Sequence, residues 1–316
     1  MAIRSIMTKF FNIAIAGEIY VDQIFTGFDH IPLLGEEVFA EQYRREAGGG
    51  TVNTACALAR LGHRASVFGV FGEDEETWLR SRLKSFGVAV DWACSSELPN
   101  GLTVSMSIRS DRSFLTYAGA NAKLKGYIAL PETLAALSKA QHVHFAMPLE
   151  VELAQLILPA LRSAGCTLSI DPGWRKEWFL SPGSLEVLRM VDLFLPNESE
   201  AQLLTGCEDV EQMLRACAML GLRHTVIKLG PRGAATLRDD RLIAIVPPDV
   251  HVVDTTGAGD AFDAGFIDAW LSGADVEEQL RRACICGSLS TRAHGALTAL
   301  PLREEMMGIT HADIAV

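Results

Sequence analysis

The chain reads as an α/β protein, a mostly parallel central sheet with helices on both faces plus a small β-sheet lid. Three observations predict this. Short apolar runs of strand length recur along the sequence, helical patterns fill most of the gaps between them, and two segments break that rhythm as additional strands. At 316 residues the chain is long enough for one large core. No Pro/Gly-rich linker divides it, so residues 1–316 are expected to form a single domain.

The first strand is expected in FNIAIAG (11–17). The N-terminus has a basic start and an apolar run, but Asn12 interrupts the run and Glu18 follows it directly. It therefore reads as a buried strand behind a short tail rather than a secretion signal. Further strands are expected in ASVFGVFG (65–72), HVHFAMP (142–148), TLSIDP (167–172), VDLFLPN (191–197) and TVIKLG (225–230). Helical spacing covers 51–61, 75–86, 150–164, 199–204 and 208–221. In such sheets ligands bind beyond the carboxyl ends of the strands, and Asp171, Asn197, Gly230 and Asp254 all fall just after strand-like runs. Residues 100–119 read as a hairpin turning at Ser110-Asp111-Arg112, and 21–47 hold short strand-like pieces without a helix. Together they are expected to form a projecting sheet, a lid over the strand ends or a surface for a second subunit.

Composition narrows the function. With 28 Lys+Arg against 39 Asp+Glu the net charge is −11, which disfavours nucleic acid and anionic membrane as partners. No apolar stretch approaches a membrane span. The seven cysteines are scattered without metal-ligand spacing. They read as free buried thiols in a reducing compartment, and a cytoplasmic location is expected.

Two glycine clusters carry chemistry. In DTTGAGDAFDAGF (254–266), Phe262, Phe266, Ala269 and Trp270 recur at helical spacing until Gly273, which places Gly257-Ala258-Gly259 at a helix N-terminus. Unpaired N–H groups and the helix dipole suit that turn to a phosphate, and Asp260 beside it is placed to take a proton from a hydroxyl. Asp and Thr are also ordinary helix caps, so this stretch alone leaves both readings open. In AGGGTVNTACALARLG (47–62) a second helix follows Gly48-Gly49-Gly50. Asn53 in its first turn offers two donors and an acceptor, as sugar hydroxyls require; tight strand-to-helix packing would explain the same glycines.

The combination resembles the two signature segments of the ribokinase-like carbohydrate kinases, the PfkB family. Between them GEIYVDQIF (17–25), FGEDEETWLRSRLKSFGV (71–88), PNESEA (196–201) and IKLGPRGA (227–234) are similar to the remaining family segments, in order. The resemblance implies an ATP-dependent kinase acting on a hydroxymethyl group, with Asp260 as base and the N–H groups of Gly257, Ala258 and Gly259 as anion hole. It implies that Asp22, Gly48, Gly49 and Asn53 hold the sugar. Asn197, Lys228, Gly230 and Gly233 would face the nucleotide, with the backbone there mattering more than Lys228, whose alkyl stem packs. Glu200 would lie near Mg2+ through water, and Asp254 and Thr256 beside a monovalent cation such as K+, although Ala299 stands where family members often carry a hydroxyl. A homodimer through the lid sheets is expected.

The acceptor is less constrained. Arg44, Arg45, Arg109 and Arg112 lie in the lid segments and suit carboxylate or phosphate, while Phe25, Phe28, Phe114 and Tyr117 suit a nucleobase. A small free sugar leads because no feature demands a base or an anion; nucleoside, sugar-acid and sugar-phosphate kinases are the alternatives. A catalytically silent sensor is disfavoured by the intact Asp260. A dinucleotide-dependent oxidoreductase is disfavoured because no G-x-G-x-x-G follows the first strand.

Overall fold

A computed structural model describes residues 12–108 and 111–309. Its chain opens with β1 (Ile13–Gly17) and then leaves the main sheet at once for β2 (Tyr20–Thr26) and β3 (Gln42–Gly48). The side chain of Asn121 marks that departure. Its Oδ1 accepts from the Ile19 amide at 3.0 Å and its Nδ2 donates to the Ile19 carbonyl at 2.9 Å, so the buried backbone between the sheets is satisfied as if by a neighbouring strand. Helix α1 (Gly50–Arg60) returns the chain to β4 (Ala65–Phe68). The run expected as one strand over 65–72 divides here. A Cβ on Gly69 would lie 2.5 Å from Ile19 Cδ1, and after this close approach β5 (Val70–Gly72) pairs instead with β6 (Cys94–Ser96), across α2 (Glu76–Ser85).

The small sheet expected to act as a lid is completed by β7 (Gly101–Ile108) and β8 (Asp111–Tyr117), in the order β3-β2-β7-β8. Asp111 and Arg112, expected in the turn, belong to β8, where Asp111 pairs with Ile108; Ser110 and Arg109 lie outside the described residues. Helices α3 (Leu124–Ile128) and α4 (Pro131–Leu137) lead to β9 (His142–Ala146), α5 (Val151–Ser163) and β10 (Thr167–Ile170). Then come α6 (Lys176–Phe179), α7 (Pro182–Leu188) and a two-residue β11 (Leu193–Phe194). Helices α8 (Glu198–Thr205) and α9 (Val210–Met219) precede β12 (Val226–Lys228), β13 (Ala234–Arg238) and β14 (Arg241–Ile245). The chain closes with α10 (Ala258–Leu271), α11 (Val276–Ser290) and α12 (Arg303–Gly308).

The central sheet runs β11-β10-β9-β1-β4 with every pair parallel. Parallel bridges from Phe194 to Thr225 and from Asn197 to Lys228 carry it on toward β12. Period-two alternation sends side chains to opposite layers. Val143, Phe145, Leu168 and Ile170 pack with α5, whereas Ile13, Ile15 and Val67 pack with α1 and α10. A fully buried Phe145 or Ile15 contributes about 1.5–3 kcal/mol, and both faces are covered, as a parallel sheet requires. No helix among the described residues is long and apolar enough to cross a membrane.

Candidate active site

The site lies where the carboxyl ends of β1, β9 and β10 meet the N-termini of α1 and α10. Gly257 takes φ +74°, which a side chain would strain, and a Cβ there would also lie 2.5 Å from Ala296 Cβ. With Gly257 so turned, α10 starts at Ala258, whose amide donates to the Thr255 carbonyl at 3.2 Å, and Gly259 and Asp260 follow in the first turn, where amides lie beyond the reach of the helix's own carbonyls. The turn is braced from behind. Asp254 Oδ1 accepts from the Thr256 amide at 2.9 Å and its hydroxyl at 2.7 Å, and Oδ2 accepts from the Gly295 amide at 2.9 Å. Asp254 and Thr256 thus join the loop before α10 to the loop after α11.

On one side of Asp260 stands a polar wall. Asn53 Nδ2 donates to Asp260 Oδ2 at 2.8 Å, while Asn53 Oδ1 is buried without a partner among the described residues, an acceptor left for a ligand hydroxyl. Gly49 takes φ +89°, and a Cβ on Gly48 would lie 2.0 Å from Asp22 Oδ2. The glycines therefore admit the Asp22 carboxylate to the wall. Burial and the nearby charges of Asp260 and Glu46 raise Asp22 to about 7, and burial together with Asp171 raises Asp260 to about 6. Each carboxyl is thus held in reach of protonation near neutral pH.

On the other side is a cavity of about 550 Å3. Gly230, Gly233, Ala258 and Gly259 form its polar end, and Val246, Val250, Val252 and Phe262 make apolar walls. Gly233 takes φ +84°, and a Cβ there would lie 1.8 Å from the Ile245 carbonyl, so the loop closes onto β14 only with glycine. Asn197 and Glu200 meet as a capping box at the start of α8. The Asn197 amide donates to Glu200 Oε2 at 2.8 Å, and the Glu200 amide to Asn197 Oδ1 at 2.9 Å. Glu200 is buried, which with Asp171 raises it to about 7.

Lys228 corrects the sequence reading. Its ammonium, not only its stem, is buried in the site, 2.6 Å from Asp171 Oδ2 and 3.1 Å from Asp263 Oδ1. Burial alone would lower Lys228, but Asp171 and Asp263 outweigh it and hold the ammonium charged. Burial likewise opposes the Asp171 charge; Lys228 overcomes this and keeps Asp171 ionised, while Asp263, fully buried, is pushed up. Carboxylate oxygens of Asp171, Asp260 and Asp263 lie within 4.8 Å of one another, and the lysine supplies the cation that such a cluster needs. Sequence patterns missed Asp263, which falls on the buried face of α10 as an apolar residue would. The carboxyl side of Asp171 had been legible only as a strand end.

A phosphate-sized turn with a carboxylate as its next residue, set between a hydroxyl-binding wall and an apolar slot, fits the transfer of a phosphoryl group between two small molecules, and the class is that of the small-molecule kinases. The family model for pfkB family carbohydrate kinases matches residues 12–303. The ribokinase of Arabidopsis thaliana is 30% identical over 304 residues, covering 92% of this chain and 79% of that one. The 2-dehydro-3-deoxygluconokinase of Bacillus subtilis (strain 168) is 28% identical, covering 87% and 89%. Among solved structures, Arabidopsis thaliana ribokinase complexed with ribose and ATP superposes with a TM-score of 0.82 at 29% identity, over 94% of this chain and 97% of that one. This chain belongs to the pfkB family of carbohydrate kinases.

Proposed function

We propose that the protein transfers the γ-phosphate of ATP to a hydroxymethyl group of a small sugar. The observation that carries this reading is the position of Asp260, in the first turn of α10 with the Gly257–Gly259 amides on one flank and Asn53 and Asp22 on the other. The sugar's secondary hydroxyls bind Asp22 and Asn53 Oδ1, and its primary hydroxyl meets Asp260. As that oxygen attacks phosphorus, Asp260 accepts its proton, and the amides of Gly257, Ala258 and Gly259 take up the charge on the phosphoryl oxygens. The bond from phosphorus to the bridging oxygen of ADP breaks as the new one forms, and the proton then leaves Asp260 for solvent. Because the transition state is loose, alignment and charge stabilisation supply more of the rate than proton removal.

The nucleotide base takes the slot between Val246, Val250 and Phe262, with Gly230 and Gly233 against the phosphates. Mg2+ bound with ATP neutralises phosphate charge. The residues fit it: Glu200 Oε2 is committed to the Asn197 amide, and Oε1 would accept a hydrogen bond from water on the ion. The Asp171–Asp263 pair is not needed for it, since Lys228 fills that position. Asp254 and Thr256 are the ligands proposed for a monovalent cation. Formation of ADP with Mg-ATP across neutral sugars, sugar acids, sugar phosphates and nucleosides, run beside Asp260→Asn, tests the reading. Turnover on a sugar that the variant abolishes supports it; turnover confined to nucleosides, or a fully active variant, refutes it.

A further inference from the structure

Where β1 ends, Glu18 forms an ion pair with Arg175, which follows β10. In the sheet order β10-β9-β1 the pair spans the end of β9, along the rim of the hydroxyl-binding wall. Tyr20 is their neighbour, and the charges of Glu18 and Arg175 both act on its hydroxyl. Two contacts tie this trio to the wall. A Cβ on Gly49 would lie 2.7 Å from the Glu18 carbonyl and 3.1 Å from the Tyr20 ring, and Tyr20 shares a face of β2 with Asp22, two residues on. The Arg175 and Glu18 side chains are 41% and 25% exposed, so a ligand can reach both.

Charge around the wall is asymmetric. Glu18, Asp22, Glu46 and Asp260 contribute carboxyl groups. The guanidinium nearest each glutamate is already committed, Arg175 to Glu18 and Arg82 to both oxygens of Glu46. Arg45, further along β3, is paired with Glu75 and stacked 4.2 Å above the Trp78 ring. An anionic acceptor meets an Arg175 whose charge Glu18 already balances, and it must enter among like charges. A neutral polyol displaces nothing, since its hydroxyls donate to Glu18 and accept from the spare guanidinium N–H groups.

We propose that Glu18 is a specificity-determining residue: by neutralising Arg175 at the acceptor rim it makes this kinase select uncharged polyols over sugar acids and sugar phosphates. The inference rests on the phosphoryl-transfer reading above. It leaves Arg44, exposed one strand position beyond Arg45, without a part in acceptor choice.

The test measures kcat/KM of the full chain with Mg-ATP for D-ribose and D-fructose against 2-dehydro-3-deoxygluconate and ribose 5-phosphate. Calorimetric binding of the same four compounds, with a non-hydrolysable ATP analogue present, runs in parallel. Wild type is expected to favour the better neutral sugar at least about tenfold. Glu18→Ala, which frees Arg175, is expected to shift the neutral-to-anionic ratio toward the anions by about tenfold or more, while Glu18→Asp and Arg44→Ala keep it within about threefold. A wild-type preference for an anion, or an unchanged ratio in a folded Glu18→Ala protein, overturns the proposal. Absence of phosphorylation with all four compounds counts against the phosphoryl-transfer reading alone, because the binding ratios still decide the role of Glu18.

Discussion

Asn53 and Asp260 are 207 residues apart in sequence and 2.8 Å apart in the fold, the amide of one donating to the carboxylate of the other. The contact fixes the face of the carboxyl group that remains for a substrate. It also makes the two glycine-rich helix starts one device, since neither α1 nor α10 alone supplies both a base and its orienting donor.

Asp260→Asn is therefore expected to lower kcat by about 10²–10⁴-fold while ATP affinity stays within about threefold. Steady-state rates and nucleotide titration on the folded variant check this.

The pH dependence follows from Asp260 lying at about 6. A base must be deprotonated, so kcat is expected to fall as pH drops through about 6 and to level off above it. Stability runs the other way. A folded-state value above that of the unfolded chain means that ionisation favours unfolding, so the carboxyl costs stability progressively from about pH 4 upward and most above pH 6. Thermal melts of Asp260→Asn and wild type should coincide below about pH 4, with the variant a few degrees more stable at pH 8. A variant less stable at pH 8 would show that its hydrogen bond to Asn53 outweighs the burial of charge.

Lys228→Met leaves Asp171 and Asp263 without their cation, and about 3–5 kcal/mol of stability should be lost. Adding Asp171→Asn removes the uncompensated charge, so the double variant should recover much of that loss without recovering the rate. Denaturant midpoints and turnover on the same samples separate the two effects.

Gly48→Ala would drive a methyl group into Asp22, whereas Gly50→Ala would meet Asp260 Oδ1 only at 3.3 Å. Gly48→Ala should raise the acceptor KM by about tenfold or more, and Gly50→Ala by less, with the ATP KM unchanged in both. Equal effects would mean that Asp22 does not touch the acceptor.

The outer face of the lid exposes Tyr43, Leu115 and Tyr117 by 53%, 68% and 52%, an apolar surface of the kind that subunits cover. Light scattering is expected to give twice the chain mass, and Leu115→Glu to give the single-chain mass. A wild-type monomer at micromolar concentration would count against the lid interface.

The sheet and its helices were legible because apolar runs and helical spacing are local signals, as in β1, β9, α1 and α10. Asp260 and Asn53 could be found because glycine beside a polar residue marks close approach, and Asp22 only through the family resemblance of the segment 17–25. Lys228 with Asp171 and Asp263 could not be found so, because the ion pairs join β10, β12 and α10 and no local pattern records which strands become neighbours. Glu18 and Arg175, 157 residues apart, escaped for the same reason. The β13–β14 turn was silent too. It places Asp239 and Asp240 at φ 50° and 61°, a conformation that Asp tolerates but that only glycine or asparagine advertises.

The amide of Asn121 grips both polar atoms of Ile19, and Ile19 is one of the links between the central sheet and the small sheet. A closing lid cannot slide there without breaking two buried hydrogen bonds at once. A swing about Ile19, as a door moves on its pin, would keep both bonds, and Tyr20 and Asp22 lie only one and three residues out along the leaf. The acceptor contacts proposed for Asp22 would thus sit beside the point held most firmly.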